Sequence, residues 1–91
     1  MIILTGYISV DPTDVDVFLR DVQAISLDTK AEAGCLFYGI ALDDRSSGRF
    51  LVAERWRDQQ ALTAHLERAE TLSFLQTWTA RMRAELDTAE A

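Results

Sequence analysis

The sequence predicts an α+β fold of the ferredoxin-like, split βαβ kind, in which helices pack on one face of an antiparallel sheet. Three observations support this prediction. Strand-like and helix-like segments follow in the order strand, helix, strand, strand, helix, helix. A short polar loop joins the second and third strands, as in a hairpin, and each helix has one apolar stripe that suits packing on a sheet. No linker, repeat or low-complexity segment interrupts the 91 residues, so we expect a single domain over residues 1–91.

A helix-start signal separates the first strand from the first helix. The segment from Ile2 to Val10 is rich in β-branched and aromatic residues that alternate loosely, which predicts a strand. Asp11 then suits the N-cap and Pro12 the first helical position. Apolar residues recur at spacings of three and four up to about Lys30, which predicts an amphipathic helix. They are Val15, Phe18, Leu19, Val22 and Ile25.

The middle of the chain predicts a β-hairpin. Residues 35–42 read CLFYGIAL and residues 49–57 read RFLVAERWR, with a run rich in Asp, Ser and Gly between them. Alternation along the third strand sends four residues to one face of the sheet. They are Phe50, Val52, Glu54 and Trp56. A carboxylate and an indole are therefore expected on the same face as core residues.

The C-terminal third of the chain is predicted to be helical. Asp58 suits the N-cap of a short helix that reaches about Arg68. A longer helix is predicted from Thr71, because apolar residues again recur at helical spacing. They are Leu72, Leu75, Trp78, Met82 and Leu86. The polar tail, residues 84–91, is interpreted as helix or frayed coil, so three strands are predicted and one sheet edge stays uncovered.

Composition and charge argue against several classes of function. The formal net charge is −6 and no basic stripe is present, which disfavours a nucleic-acid partner. No window approaches roughly 18 apolar residues, and the N-terminus has no cationic leader, so we expect no membrane partner and a cytoplasmic location. The single cysteine, Cys35, cannot form an internal disulfide, and a single histidine cannot complete a Cys/His zinc cluster. We therefore expect no structural metal.

The amount of apolar surface predicts an oligomer. A domain of this size buries only about 60 to 65% of the surface that its unfolded chain exposes, yet 48% of the residues are hydrophobic. Helices on one face of the sheet leave the other face to be covered, most simply by a second copy of the chain. We therefore expect a homodimer.

Three segments of the chain together resemble the antibiotic biosynthesis monooxygenase family. They are EAGCLFY at residues 32–38, RFLVAERWRD at residues 49–58 and ALTAHL at residues 61–66. The resemblance implies a dimeric α+β barrel with a cavity between the sheet and the helices. It also implies a cofactor-free monooxygenase of small electron-rich aromatics, such as quinols and anthrone-like phenols. The alternative is a non-catalytic dimer of the same fold that binds a small ligand or serves in a stress response.

The resemblance implies roles for particular residues. Trp56 matches the family's strand tryptophan, Tyr38 its second-strand tyrosine, and Glu54 the acid two residues before the tryptophan. The polyketide-oxidising members carry Asn and Tyr where this chain has Val52 and Leu62, so their detailed mechanism does not transfer. The haem-degrading branch has a histidine ligand at the position of Glu70 in this chain, and no Gly-rich phosphate loop is present, so no cofactor is expected. A haem-binding protein that uses His65 is a third alternative.

The two candidate acid–base residues each allow a structural and a functional interpretation. Glu54 is either a partly buried acid paired with an arginine, such as Arg49 or Arg55 of a partner subunit, or a general base. In the second case burial beside Trp56 and Phe50 would raise its pKa. His65 has the side-chain type that titrates near neutrality, which suits proton transfer, but at the border of an apolar helix face it could equally meet solvent.

Aromatic residues complete the predicted site. Trp56 is either core or a stacking wall whose indole N–H binds a substrate oxygen, and Tyr38 is either a core residue or part of the wall. Phe50 is expected in the wall, and Phe74 in the core or the cavity roof. The predicted catalytic residues are therefore His65, Glu54 and Trp56. The predicted substrate-binding residues are Tyr38, Trp56, Phe50 and Phe74, with no metal ligand.

Overall fold

The computed structural model describes residues 1–91 and confirms the α+β, ferredoxin-like fold. Its elements are β1 (Ile2–Val10), α1 (Val15–Lys30), β2 (Cys35–Asp44), β3 (Arg49–Trp56), α2 (Gln59–Glu67), α3 (Ala69–Trp78) and β4 (Met82–Glu90). All neighbouring strands are antiparallel, in the order β2-β3-β1-β4. This order is that of a split βαβ sandwich. None of the helices combines the length and the apolar composition that crossing a bilayer requires.

The prediction of a helical C-terminus is wrong beyond Trp78. The helix α3 ends there, a 3-10 turn spans Thr79–Arg81, and β4 then pairs with β1 along its whole length. Met82 and Leu86 fit a helical spacing of four, but together with Ala84 they also fit the period of two that places residues on one face of a strand. Pairing with β1 satisfies backbone groups that a free tail would leave to water, and this tertiary term outweighs local helix propensity. The strand β4 therefore covers the sheet edge that the three predicted strands would leave open.

Gly6 allows β1 and β4 to approach each other closely. Its φ is 152°, and a Cβ atom at this position would collide with the backbone carbonyl of Glu85 in β4. Only glycine fits where one backbone comes this close to another. Gly6 therefore helps the fourth strand to pair with β1 at the edge of the sheet.

Two aspartates fix where the chain leaves the sheet for a helix. The Asp58 carboxylate accepts a hydrogen bond from the Ala61 N–H at 2.8 Å and caps α2, as predicted. The Asp11 carboxylate accepts one from the Thr13 N–H at 2.9 Å, but it caps a 3-10 turn, Pro12–Asp14, that leads into α1. Both carboxylates satisfy backbone donors that would otherwise lack a partner.

The core between the sheet and the helices has two parts. The first, the apolar cluster, consists of Ile8, Val10, Val15, Phe18, Val22, Phe50, Val52 and Trp78. The second contains Ile2, Tyr38, Trp56, Ala61 and Leu62. The buried polar side chains of Glu32, Glu54 and His65 adjoin this second group, and we call the whole set the mixed cluster. Titratable groups are therefore concentrated at one end of the core.

Candidate functional site

A cavity of about 120 Å³ lies between the sheet and the helices. All four strands and all three helices contribute to its wall, which is mostly aliphatic. The lining residues are Leu4, Ile8, Ile25, Tyr38, Ile40, Val52, Glu54, Leu62, His65, Leu66, Thr71, Phe74, Leu75, Met82, Ala84 and Leu86. A larger depression of about 360 Å³ lies at the surface between α1 and α3, but it contains neither Glu54 nor His65. The cavity between the sheet and the helices is therefore the candidate site.

The structure brings four of the predicted site residues together at this cavity. They are Tyr38, Glu54, His65 and Phe74. Trp56 is fully buried against His65, with 4.6 Å between the ring centroids, but it is not part of the wall. Phe50 lies edge-on to Phe18 in the apolar cluster, 4.8 Å between centroids, and is also absent from the wall. The geometry therefore gives Trp56 and Phe50 supporting positions behind the wall rather than the expected contact with a ligand.

Glu54 is held in place by Trp56. Alternation along β3 points both side chains towards the helices, and the Trp56 indole N–H donates to Oε1 of Glu54 at 3.0 Å. Arg49, one of the arginines expected to pair with Glu54, pairs instead with Asp43 at 2.7 Å. Burial is the largest influence and raises the pKa of the Glu54 carboxyl, although the indole hydrogen bond and the nearby His65 oppose this. Its proton is therefore held more tightly than that of an exposed glutamate.

His65 is oriented by Glu32, to which the sequence analysis gave no role. The Nδ1 atom of His65 lies 3.1 and 3.0 Å from the two carboxylate oxygens of Glu32. Each of these side chains is only 6% exposed, and the Arg68 Nε atom is 3.5 Å from Glu32 Oε2. A carboxylate facing Nδ1 favours a proton on that nitrogen, which leaves Nε2 as an acceptor. Nε2 has no hydrogen-bond partner within the chain.

The turn between α1 and β2 carries Glu32 to His65. Gly34 in this turn has a φ of 81°, and a Cβ atom there would lie 2.5 Å from the Ala61 Cβ atom in α2. The Gly34 carbonyl also accepts a hydrogen bond from the Arg57 N–H at 2.8 Å. The turn therefore packs directly on the helix that contains His65. The only sequence signal for Glu32 is its place at the start of the EAGCLFY segment.

Tyr38 supplies a neutral hydroxyl to the same wall. Its ring lies edge-on to that of His65, with 6.0 Å between centroids. Burial, followed by the charges of Glu54 and Glu32, raises the pKa of the Tyr38 phenol, so the group stays protonated. The Thr29 hydroxyl lies near enough to the Tyr38 hydroxyl to oppose this rise in pKa. The two hydroxyl groups do not meet hydrogen-bond geometry, however, and the Thr29 hydroxyl is buried without a partner. Tyr38 can therefore donate to a bound oxygen atom.

The polar groups at the site are suited to proton transfer. No group of three or more His, Cys, Asp or Glu side chains has an arrangement that could hold a metal ion. Burial and the charges of Glu32 and Glu54 raise the pKa of the nearby Cys35 thiol, which disfavours a nucleophilic thiolate. An imidazole with a free nitrogen and a buried carboxyl group can instead accept a proton from a hydroxyl group in the cavity.

Comparison with known proteins assigns the chain to a family. Residues 1–87 match the family model described as antibiotic biosynthesis monooxygenase. The chain belongs to the antibiotic biosynthesis monooxygenase family. The protein named "Putative monooxygenase YcnE" from Bacillus subtilis strain 168 is 30% identical over 87 residues, which are 96% of this chain and 92% of that protein. Membership of this family supports a general monooxygenase role.

Solved structures of similar proteins agree with the family assignment. PA3566 from Pseudomonas aeruginosa is 28% identical and superposes with a TM-score of 0.86 over 99% of this chain and 92% of its own. A protein from Deinococcus radiodurans, described as a putative antibiotic biosynthesis monooxygenase, is 24% identical with a TM-score of 0.88 over 100% of this chain and 92% of its own. The second likeness concerns the fold alone. Both confirm that a single known fold spans the whole chain.

Proposed function

We propose that this protein is a cofactor-free monooxygenase that oxidises small electron-rich aromatics, of the quinol or anthrone-like phenol type, with O2. One observation carries the proposal: Glu54 and His65 are two of only four residues with polar side-chain atoms among the 16 that line the cavity, the others being Tyr38 and Thr71. His65 also has its Nδ1 nitrogen engaged by Glu32 and its Nε2 nitrogen free. A dry cavity with a positioned base is what oxidation of a phenol by O2 requires of a protein.

The reaction begins with removal of a proton from the substrate hydroxyl by Nε2 of His65. The phenolate is a stronger reductant than the phenol and passes one electron to O2, which gives an organic radical and superoxide. These combine to a peroxide, whose O–O bond then breaks: one oxygen atom stays on the substrate and the other leaves as water. A hydroquinone that reacts in this way loses four electrons and becomes a hydroxyquinone, so no further reductant is consumed.

The remaining residues support this chemistry. The negative charge of Glu32 stabilises the imidazolium that forms when His65 takes the proton. Glu54 provides a second group able to hold a proton near the reacting oxygen atoms, and Trp56 fixes its carboxylate. Tyr38 and Phe74 form parts of the wall. Phe50 supports the site from the apolar cluster.

Oxygen consumption tests this proposal. Purified, metal-stripped protein is given hydroquinones and anthrones, and each rate is corrected for uncatalysed autoxidation. We expect uptake that saturates with substrate and falls about 10²- to 10⁴-fold in His65→Ala, as removal of a general base does. The matched control is Glu67→Ala, an exposed position on the same helix. The absence of uptake above background would favour the non-catalytic ligand-binding alternative.

We also propose that the protein acts as a homodimer formed through the face of the sheet opposite the helices. Tyr7 and Leu51 are cross-strand neighbours at the middle of this face and are 42% and 43% exposed. Alternation places Arg83 and Glu85 of β4 on the same face, so both signs of charge surround the apolar pair. A surface that is apolar at its centre and carries both charges at its rim can pair with a copy of itself.

Light scattering coupled to gel filtration measures the oligomeric state. We expect a mass of twice the 10.2 kDa chain. Leu51→Glu should reduce the mass towards that of a monomer, because it buries an unpaired charge in the interface. Leu27→Glu is the control, since Leu27 lies on α1 and is 76% exposed. A monomeric wild-type protein, or a dimer that Leu51→Glu leaves intact, would exclude this interface.

A further inference from the structure

The cavity beside His65 is small for an enzyme site. Its volume is about 120 Å³, whereas pockets for drug-sized ligands range from about 300 to 1,000 Å³. An engineered apolar cavity of about 150 Å³ in another protein binds one benzene molecule. A cavity of this size accommodates one six-membered ring, and a second fused ring would have to extend beyond it, past the exposed side chains of Leu66 and Leu86.

The charge of the wall limits the ligand further. No lysine or arginine lines the cavity. His65 is the one lining residue that can carry a positive charge, and it already faces the carboxylate of Glu32. A ligand carboxylate or phosphate would be buried near Glu54 and Glu32 with no cation left to pair with it, which is strongly unfavourable. The site is therefore expected to discriminate against anions.

The wall nevertheless offers acceptors for a neutral donor. Nε2 of His65 has no partner within the chain, and Glu54 uses only its Oε1 oxygen, in the hydrogen bond from Trp56. A hydroxyl group on a ring could donate to either of these atoms, and its oxygen could accept from Tyr38. A ring without a donor would leave both acceptors unsatisfied, at a cost in binding.

From these three features we infer that the cavity selects uncharged, single-ring phenols and hydroquinones and discriminates against both aromatic acids and fused-ring aromatics. The inference rests on the proposed function, since it narrows the substrate class of that same site to single-ring phenols and hydroquinones and disfavours the anthrone-like phenols. Selection occurs at the binding step, however, so it can be measured without oxygen and without turnover.

Anaerobic calorimetric titration with four redox-stable probes tests the selectivity. The probes are 4-methylphenol, 4-hydroxybenzamide, 4-hydroxybenzoate and 2-naphthol. At neutral pH we expect 4-methylphenol to bind, and 4-hydroxybenzoate to bind at least about tenfold more weakly than the uncharged amide of the same shape. 2-Naphthol should bind at least about tenfold more weakly than 4-methylphenol, although its larger apolar area alone would make it bind more tightly.

A variant with a larger cavity makes the test of size specific. Leu75→Ala removes a lining side chain and should recover binding of 2-naphthol, whereas Leu27→Ala, at an exposed position, should not. Equal affinity for the acid and the amide, affinity for 2-naphthol equal to that for 4-methylphenol, or no binding of any probe would overturn the inference. If the expected selectivity is found but hydroquinones cause no oxygen uptake, the inference stands and the proposed oxidation fails.

Discussion

The two tryptophans of this protein are both fully buried, yet they lie in regions of opposite character. Trp78 packs edge-on against Phe18 in the apolar cluster, 4.8 Å between centroids, and its indole N–H reaches out to Asp21 at 2.9 Å. In the mixed cluster, Trp56 donates to the buried Glu54 and lies against His65. The same residue type thus completes an apolar core at one end of the molecule and positions a carboxyl group at the other.

This difference separates the part of the core that stabilises the fold from the part that can do chemistry. Buried titratable groups cost desolvation free energy that apolar residues of similar size would not. The apolar cluster contains no such group, whereas the mixed cluster contains Glu32, Glu54 and His65 next to a cavity. Substitutions in the first region should therefore act on unfolding, and substitutions in the second on turnover.

The largest effect is expected in the apolar cluster, for Phe18→Ala. Phe18 is fully buried and contacts the rings of Phe50, Phe74 and Trp78. Its truncation should lower the free energy of unfolding by about 3–5 kcal/mol, measured by urea denaturation. Phe18→Leu should cost less and leave turnover of the folded protein unchanged. Leu27→Ala, at an exposed position, should stay within about 0.5 kcal/mol of wild type. A loss below about 1 kcal/mol for Phe18→Ala would contradict this view of the cluster.

Glu32→Gln should have the next largest effect, and it should act on turnover. The amide keeps the size of the side chain but removes the negative charge beside His65 Nδ1. We expect kcat/KM for oxygen uptake to fall about 10- to 100-fold, as happens when the group that orients a catalytic histidine is altered. Glu70→Gln is the matched control, because Glu70 also approaches Arg68, at 3.6 Å, but is 50% exposed. Equal losses in the two variants would show that Glu32 does not act through His65.

The sequence predicted one part of the mixed cluster and missed another. Alternation along the third strand correctly placed Glu54 and Trp56 on the helix side of the sheet with Phe50, because period-two patterns are local. The role of Glu32 was not predictable in this way, since it depends on a turn meeting a residue 33 positions further along the chain. Neither could a strand pattern show that Trp56 lies behind the cavity wall rather than in it.

The fourth strand was missed for a related reason. Residues after Trp78 are rich in Ala, Glu and Arg, which favour helix, and their apolar positions fit both a helical and a strand period. Pairing with β1 decides between the two, and that pairing involves residues about 80 positions away in the sequence. Local patterns therefore predicted the element types wherever one period dominated, and failed where two periods competed.

A smaller and more discriminating effect is expected from substituting each tryptophan with phenylalanine. Trp78→Phe should cost about 1–2 kcal/mol of unfolding free energy, through a packing defect beside Phe18, and leave turnover unchanged. Trp56→Phe should retain the fold but lower kcat/KM about tenfold, because Glu54 loses its buried donor. Denaturation and oxygen uptake are measured on both variants. Unchanged kinetics in Trp56→Phe would remove Trp56 from the mechanism, and identical profiles for the two variants would remove the distinction between the clusters.

The smallest effect concerns the stability cost of Glu54 itself and depends on pH. Burial raises the pKa of Glu54 in the folded protein above its ordinary value of 4.5. Between the unfolded and the folded pKa the folded state binds more protons, so stability falls as the pH rises through this range. Glu54→Gln cannot ionise and can still accept from the Trp56 indole. At neutral pH it should therefore be more stable than wild type by about 1 kcal/mol.

Urea denaturation of both proteins across this pH range isolates the effect, because the titrations of carboxyl groups that do not interact with Glu54 cancel in the difference. The advantage of Glu54→Gln should be full above the folded pKa of Glu54 and disappear below its ordinary value, where both proteins carry a neutral side chain. Glu67→Gln, at an exposed position, should show no such trend. A difference that does not change with pH would mean that Glu54 is not strained by burial, and the mixed cluster would then carry no stability cost that a functional role has to explain.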